Sequence, residues 1–168
     1  MPQPSEAHLR LRRIGVAGHQ GLPSRTTDLV SAALRDVLAQ YQDAMVGITC
    51  LADGADQLFA HIVVDLGHSL EVVIPAKQYR DGLSPEAQPA YDQLVAKATH
   101  VEQLPFVEST EEAHMAGGKA IVDRSDLLLA VWDGEPARGY GGTADVVAYA
   151  KERGVPVKVI WPEGASRG

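Results

Sequence analysis

The sequence predicts an α/β protein: a single Rossmann-like domain with three layers, α/β/α, around a mainly parallel sheet of about six strands. Two observations lead to this fold class. Six short apolar stretches alternate with segments of helical periodicity, a rhythm typical of βαβ units. The first, third and fifth stretches are continuously apolar, as expected of strands that helices cover on both faces. The length of 168 residues supports one such domain with a substantial core.

The predicted strands are short, often β-branched, and bounded by Gly, Pro or Asp. In chain order they cover residues 13–17, 46–51, 70–75, 100–104, 126–132 and 156–161. The longest apolar run, from Leu127 to Trp132, falls far short of the roughly 20 residues that a membrane span needs. We therefore expect no membrane segment.

The predicted helices lie between these strands. The first two are indicated by apolar residues that recur every three to four positions, over 29–38 and 58–66. A Ser-Pro pair at 84–85 marks the start of the third. Ser109 and Glu112 form a capping box for the fourth. The last helix includes Val146, Val147 and Ala150 and ends before Gly154.

Because this alternation has no repeat or linker within it, we expect one domain over residues 9–163. Residues 1–8 and 164–168 are interpreted as loose ends. The first residues are polar and carry prolines, so no signal peptide is expected and we expect a cytoplasmic protein.

Charge and cysteine content exclude several classes of function. The chain has 15 Lys and Arg against 22 Asp and Glu, a net charge of −7, which disfavours nucleic-acid binding. Cys50 is the one cysteine, so an intramolecular disulfide and a multi-cysteine metal site are excluded. No HExxH pair, G-x-S-x-G elbow or P-loop is present, and we predict no metal site and no obligatory cofactor.

Glycines concentrate in the loops that follow the first, second and fifth predicted strands. In open parallel sheets, ligands bind at the carboxyl ends of the strands, where helix N-termini offer free amides. In the first loop, Gly18 would permit a positive φ or the close approach of a ligand. His19 and Gln20 would then stand at the rim and donate to a phosphate or a base. The alternative is a tight turn with a solvated histidine.

The second loop runs directly into a helix. Gly54 and Ala55 would leave the helix N-terminus open to an anion, with Asp53 beside it. Asp53 and Asp56 would alternatively act only as helix caps or first-turn charges. Beyond the third strand, Tyr79 could reach the same rim, with solvent exposure as its alternative.

The loop after the fifth strand is the strongest local signal. It holds four glycines and one proline in nine residues, whose ordering costs conformational entropy that packing does not require. At the end of this loop, backbone amides and a hydroxyl could bind phosphate. At its start, a carboxylate could bind ribose hydroxyls or act as a general acid or base. A flexible surface loop is the alternative. The candidate binding residues are Asp133, Gly134, Gly141, Gly142 and Thr143.

Taken in order, these motifs resemble the SLOG superfamily: GxxGH, LADGAD, VDRSD, WDG and GGTADVVxYA, over residues 14–161. That superfamily includes the Lonely-guy phosphoribohydrolases, molybdenum-cofactor carrier proteins, the DNA-processing protein A domain and nucleotide-sensing domains of bacterial conflict systems. The resemblance implies a Rossmann-like fold that binds nucleotides or nucleotide-derived small molecules. Its enzymatic branch carries P-G-G-x-G-T-x-x-E, but here Val146 stands at the glutamate position and Asp145 comes one residue early.

Two functions remain open from the sequence. The first is a sensor or carrier that binds an ADP-ribose-like molecule or a nucleoside phosphate at the C-terminal edge of the sheet. The alternative is an N-glycosidic hydrolase, similar to a phosphoribohydrolase or a deoxyribosyltransferase, that acts on nucleoside monophosphates. In that enzyme, Asp133 or Asp145 would stabilise the oxocarbenium-like transition state or activate the nucleophile. A homodimer or higher homo-oligomer is expected, because proteins of this fold commonly associate through their helices.

Overall fold

Strands and helices alternate without exception in the computed structural model, which describes residues 12–167. The strands are β1 (Arg12–Gly18), β2 (Met45–Thr49), β3 (Ser69–Ala76), β4 (His100–Phe106), β5 (Leu127–Val131) and β6 (Val157–Val159). The helices are α1 (Ser24–Leu38), α2 (Ala55–Asp65), α3 (Gln88–Lys97), α4 (Glu111–Asp123) and α5 (Thr143–Glu152), and a short 3₁₀ turn covers Arg80–Gly82.

All six strands pair in parallel, in the order β4-β3-β2-β1-β5-β6. The helices pack on each other in two groups, α1 with α2 and α3, and α4 with α5. This is the arrangement that right-handed crossovers produce when successive strands add first on one side of β1 and then on the other. The predicted three-layer α/β/α fold with a parallel sheet of six strands is confirmed.

The core lies on both faces of the central strands. Ile14 on β1, Ile48 on β2 and Leu128 on β5 are fully buried, because these strands are covered by helices on both sides. The edge strand β4 alternates exposed and half-buried residues instead. Continuous apolarity predicted this burial for β1 and β5, but it did not single out β2, all of whose residues are buried.

Two helix starts differ from the predicted ones. α3 begins at Gln88, with Pro89 in its first turn, and residues 84–87 form a separate turn in which Ala87 N donates to Ser84 O. α4 is capped by Thr110, whose Oγ1 accepts from Ala113 N at 3.1 Å. The predicted cap at Ser109 is therefore wrong by one residue.

The predicted loose ends are described only in part. Residues 1–8 and Gly168 lie outside the described residues. At the other end, the hydroxyl of Thr26 on α1 donates to Ser166 O at 2.8 Å, and Ser166 N donates to the same hydroxyl at 2.9 Å. These bonds hold residues 164–167 against α1 rather than leaving them loose.

Candidate functional site

The strand order places a crevice between β1 and β5. After β1 the chain runs to β2 on one side of the sheet, and after β5 it runs to β6 on the other side. The loops that follow β1 and β5 therefore diverge. In doubly wound sheets, this switch point is where ligands bind. A cavity of about 350 Å³ opens here, lined by the loops after β1, β2, β3 and β5, by α4 and by the C-terminal segment.

Gly18 brings the first loop against its neighbours, and its role is steric. A Cβ at this position would lie 2.5 Å from Ala55 Cβ and 2.8 Å from Val131 Cβ. Its φ is not positive, so the expected freedom of the backbone is not what requires glycine here. The next residue continues the contact, since His19 N donates to Val131 O at 3.1 Å.

The His19 side chain is buried and joins the two loops of the switch point. Asp133 N donates to its Nε2 at 3.1 Å, and its Nδ1 lies 3.4 Å from Thr143 Oγ1. Burial, and then the positive charge of Arg167, lower the pKa of His19, so the ring is neutral at pH 7. Nε2 also lies 3.2 Å from the Asp133 carboxylate, so the ring contacts both the backbone and the side chain of Asp133. His19, expected at the rim as a donor to a phosphate or a base, or alternatively as a solvated turn residue, is buried at the wall of the cavity. Gln20 is exposed and lines the cavity.

The glycine-rich loop ends in the N-terminus of α5, which lines the cavity. Gly141 has a φ of 87°, and its N donates to Asp145 Oδ2 at 2.9 Å. Gly142 is the N-cap residue and provides no side chain to cap the helix. Within the described part of the chain, Thr143 N and Ala144 N have no hydrogen-bond acceptor. These amides, with the helix dipole behind them, are suited to binding an anion.

Two arginines line the same cavity. Arg138 comes from the glycine-rich loop and Arg167 from the C-terminal segment. The Arg167 guanidinium lies 4.0 Å from the Asp133 carboxylate, and no ion pair involves Arg138 among residues 12–167. Sequence reasoning missed both arginines. Arg138 stood inside the loop that was singled out, but Arg167 is distant in sequence and carries no motif.

The two carboxylates predicted to be catalytic support this loop, and neither lines the cavity. Burial raises the pKa of Asp133, but the hydrogen bond from Glu135 N and the nearby His19 and Arg167 outweigh it, so the pKa is lowered and the group is ionised. Asp145 accepts from the Gly141 amide. Gly134, at the start of the loop, is exposed and has a positive φ of 84°.

The predicted residues of the second loop lie apart from the cavity. Gly54 has a φ of 88°, and a Cβ there would lie 2.7 Å from His19 O. Ala55 N donates to that same oxygen at 3.3 Å, so the first loop covers the N-terminus of α2 that was expected to be open. Asp53 provides no cap for this helix and accepts from Ser84 Oγ at 3.5 Å. Asp53 and Gly54 line a second hollow together with Gly21 and His61.

Asp56 and Tyr79 both line the cavity. The alternative for Asp56 was a first-turn charge on the helix, and the alternative for Tyr79 was exposure to solvent. Asp56 is 7% exposed, and its Oδ2 accepts from Ala52 N at 3.2 Å. Burial raises the pKa of this carboxyl to about 7, although the Ala52 amide acts in the opposite direction. Tyr79 is 5% exposed and packs edge-on against His114, with ring centroids 5.6 Å apart.

No group of three or more His, Cys, Asp or Glu side chains that could hold a metal ion occurs within residues 12–167. In the same part of the chain, no helix has the length and apolarity to span a membrane. The site therefore consists of backbone amides, two arginines, a neutral histidine and the pair of buried side chains beyond them.

Several solved structures are similar to this chain. DNA processing protein A (DprA) from Streptococcus pneumoniae is 17% identical with a TM-score of 0.67, over 90% of this chain and 51% of that one. The same protein from Helicobacter pylori, described for its single-stranded DNA binding mode, is 11% identical with a TM-score of 0.67, over 96% and 71%. The molybdenum cofactor binding protein from Rippkaea orientalis is 17% identical with a TM-score of 0.59, over 90% and 77%.

The chain thus spans about half the length of the pneumococcal protein. At these identities the likeness shows the fold alone, a Rossmann-like arrangement with helices on both faces of a parallel sheet. No protein-family model and no curated protein matches the chain.

Proposed function

We propose that this chain binds a nucleotide or nucleotide-derived small molecule at the C-terminal edge of the sheet, as a sensor or carrier. The ligand is ADP-ribose-like or a nucleoside phosphate. One observation carries the proposal: the acceptor-free amides of Thr143 and Ala144 lie in one cavity with Arg138 and Arg167. Amides at a helix N-terminus together with guanidinium groups are the usual protein ligands of phosphate.

The size of the cavity and the distribution of its charge support a small phosphorylated ligand. A volume of about 350 Å³ is within the range of small-molecule sites. The two arginines are near the helix N-terminus, whereas the net charge of the whole chain is −7. The positive charge is therefore local, which suits one phosphorylated ligand better than a nucleic-acid strand.

Known relatives in fold bind different molecules, and they support only the general idea of a ligand-binding edge. One similar structure is a molybdenum cofactor binding protein, and another is a DNA processing protein A described for its single-stranded DNA binding mode. From these structures we infer for this chain only that the fold binds a ligand at the edge of its sheet. A cytoplasmic location and assembly into a homo-oligomer remain part of the proposal.

The alternative function is hydrolysis of an N-glycosidic bond by Asp133 or Asp145. In the structure, each of these carboxylates is hydrogen-bonded within the glycine-rich loop, and neither lines the cavity. A carboxylate that stabilises an oxocarbenium-like transition state must face the sugar. The geometry therefore favours binding without hydrolysis by these two residues.

Calorimetry with ADP-ribose, AMP and a cyclic dinucleotide tests the proposal. We expect the wild type to bind at least one of them, and Arg138→Gln and Arg167→Gln each to weaken binding about tenfold, because a charged hydrogen bond to phosphate is lost. Arg35→Gln, which removes an exposed ion pair with Asp65 on the far side of the molecule, is the matched control and should bind as the wild type does. Absence of binding to all three probes, or equal binding by all variants, contradicts the proposal.

A further inference from the structure

Beyond its phosphate-binding end, the cavity contains a second polar region. Asp56 on α2 and Tyr79 after β3 both line it, and both are more than nine-tenths buried. They come from different segments of the chain, and the parallel sheet brings them together because β2 and β3 are neighbours. Neither residue takes part in the phosphate site proposed above.

The hydrogen-bonding capacity of these two side chains is largely unused. A carboxylate can accept about four hydrogen bonds, whereas Asp56 accepts one, from Ala52 N. The hydroxyl of Tyr79 has no hydrogen-bond partner among residues 12–167, and no ion pair there involves Asp56. Within residues 12–167, Arg124 Nη1 is the one fully enclosed side-chain nitrogen or oxygen without a partner, so the free positions of Asp56 and Tyr79 are accessible from the cavity.

The other polar side chains at this end are already engaged or chemically silent. His114 Nε2 lies 2.7 Å from Ser109 Oγ and forms a hydrogen bond with it. Burial raises the pKa of the Cys50 thiol well above its ordinary value, so the sulfur stays protonated. Asp56 and Tyr79 are thus the groups here with capacity left for a ligand.

We propose that Asp56 and Tyr79 form a second subsite that binds an uncharged, hydrogen-bond-donating part of the ligand. This part is a vicinal diol of a sugar or an amino group of a base. The inference rests on the proposed function, because the phosphate held at the N-terminus of α5 orients the ligand so that its other end reaches Asp56. The subsite narrows the class of ligand to molecules with a phosphate at one end and uncharged hydrogen-bond donors at the other.

The chemistry of the subsite disfavours an anion. Within residues 12–167 no ion pair involves Asp56, so an ionised Asp56 would repel a second phosphate or a carboxylate, and a protonated Asp56 would offer it no positive charge. Two hydroxyls of a diol, or the two N–H groups of an amine, can instead donate to the free carboxylate positions. The Tyr79 hydroxyl can accept from, or donate to, the same group.

Calorimetry with four probes separates the two sources of donors. AMP carries both, 2′-deoxy-AMP and 3′-deoxy-AMP each lack one hydroxyl, and IMP lacks the amino group. We expect the wild type to bind AMP at least about fivefold more tightly than one of these analogues, and Asp56→Asn to lose that preference together with AMP affinity. Loss of the preference over a deoxy analogue identifies the diol, and loss of the preference over IMP identifies the amino group.

A second variant guards against an effect on folding. Tyr79→Phe removes a hydroxyl that has no hydrogen-bond partner among residues 12–167, so its thermal stability should match that of the wild type while its AMP affinity falls. Asp65→Asn, at the exposed end of the same helix as Asp56, is the matched control and should bind AMP normally.

The outcomes separate this inference from the proposed function. If Arg138→Gln weakens AMP binding but Asp56→Asn keeps both the affinity and the preference of the wild type, the second subsite is overturned and the phosphate site stands. A wild type that binds all four probes equally also overturns the subsite. A wild type that binds none of them overturns both proposals.

Discussion

Single residues hold the loops of the switch point in place before any ligand binds. His19 contacts β5 through its backbone and both Asp133 and Thr143 through its ring. Asp145 fixes the Gly141 amide, which leaves the next amides free. Preformed anion sites gain affinity because little ordering remains to be done on binding. Some residues predicted as ligand contacts thus position the loops of the site.

Loops and helices were predictable from sequence at this scale, whereas exact helix caps and side-chain burial were not. The glycine-rich loop and the helix that follows it are visible in the sequence, because they follow local rules of chain conformation. The burial of Asp56 and Tyr79 depends on which elements pack around them, and local spacing carries no such information. Asp56 therefore read as a first-turn charge, although its pKa is raised to about 7 by burial.

The buried Asp56 carboxyl makes the stability of the fold depend on pH. Its pKa is near 3.8 in the unfolded chain and about 7 in the fold, so between these values the folded state holds a proton that the unfolded state lacks. Its contribution to stability is fully present below pH 4 and is lost as the pH rises toward 7. Between pH 5 and pH 7, the free energy of unfolding of the wild type should fall relative to that of Asp56→Asn by on the order of 2 kcal/mol.

Urea unfolding of both proteins at pH 5, 6 and 7 measures this difference. His19, His68 and His114, whose pKa values are lowered mainly by burial, change stability in the opposite direction but do so in both proteins. The difference between the two curves therefore isolates Asp56. Parallel curves would show that the carboxyl has an ordinary pKa.

At the scale of elements, α4 and α5 approach each other closely at Gly118. A Cβ there would lie 2.6 Å from Val146 Cγ2, and a Cβ at the preceding Gly117 would lie 2.9 Å from Pro75 Cγ. The two glycines let α4 pack against both the sheet and α5, and Gly118 also lines the cavity. Helix existence was predictable from periodicity, but this close packing was not, because it depends on a partner far away in sequence.

Gly118→Ala tests this packing. Replacing an exposed helix glycine by alanine stabilises a protein by about 1 kcal/mol. Here we expect the opposite, a loss of about 1–3 kcal/mol, because the added methyl overpacks against Val146. Urea unfolding measures the change. The double variant Gly118→Ala, Val146→Ala should be more stable than the sum of the two single effects predicts. Simple additivity, or a more stable Gly118→Ala, would argue against close helix contact.

For the whole molecule, the sheet order decides which loops meet. The sequence predicted six parallel strands, since alternating βα units leave few other topologies. It did not reveal that β1 and β5 are neighbours, nor that the C-terminal segment returns to this edge and brings Arg167 into the cavity. For the same reason, the loop around Gly54 was expected at the main site and lies at a second hollow instead.

Titration of the isotope-labelled protein with AMP, followed by amide NMR shifts, tests the proposed site most directly. We expect the largest shifts at the Thr143 and Ala144 amides, which gain a phosphate acceptor, with further shifts around Asp56. His61, at the second hollow, should change little. Shifts concentrated at His61, or none anywhere, would contradict the proposed site.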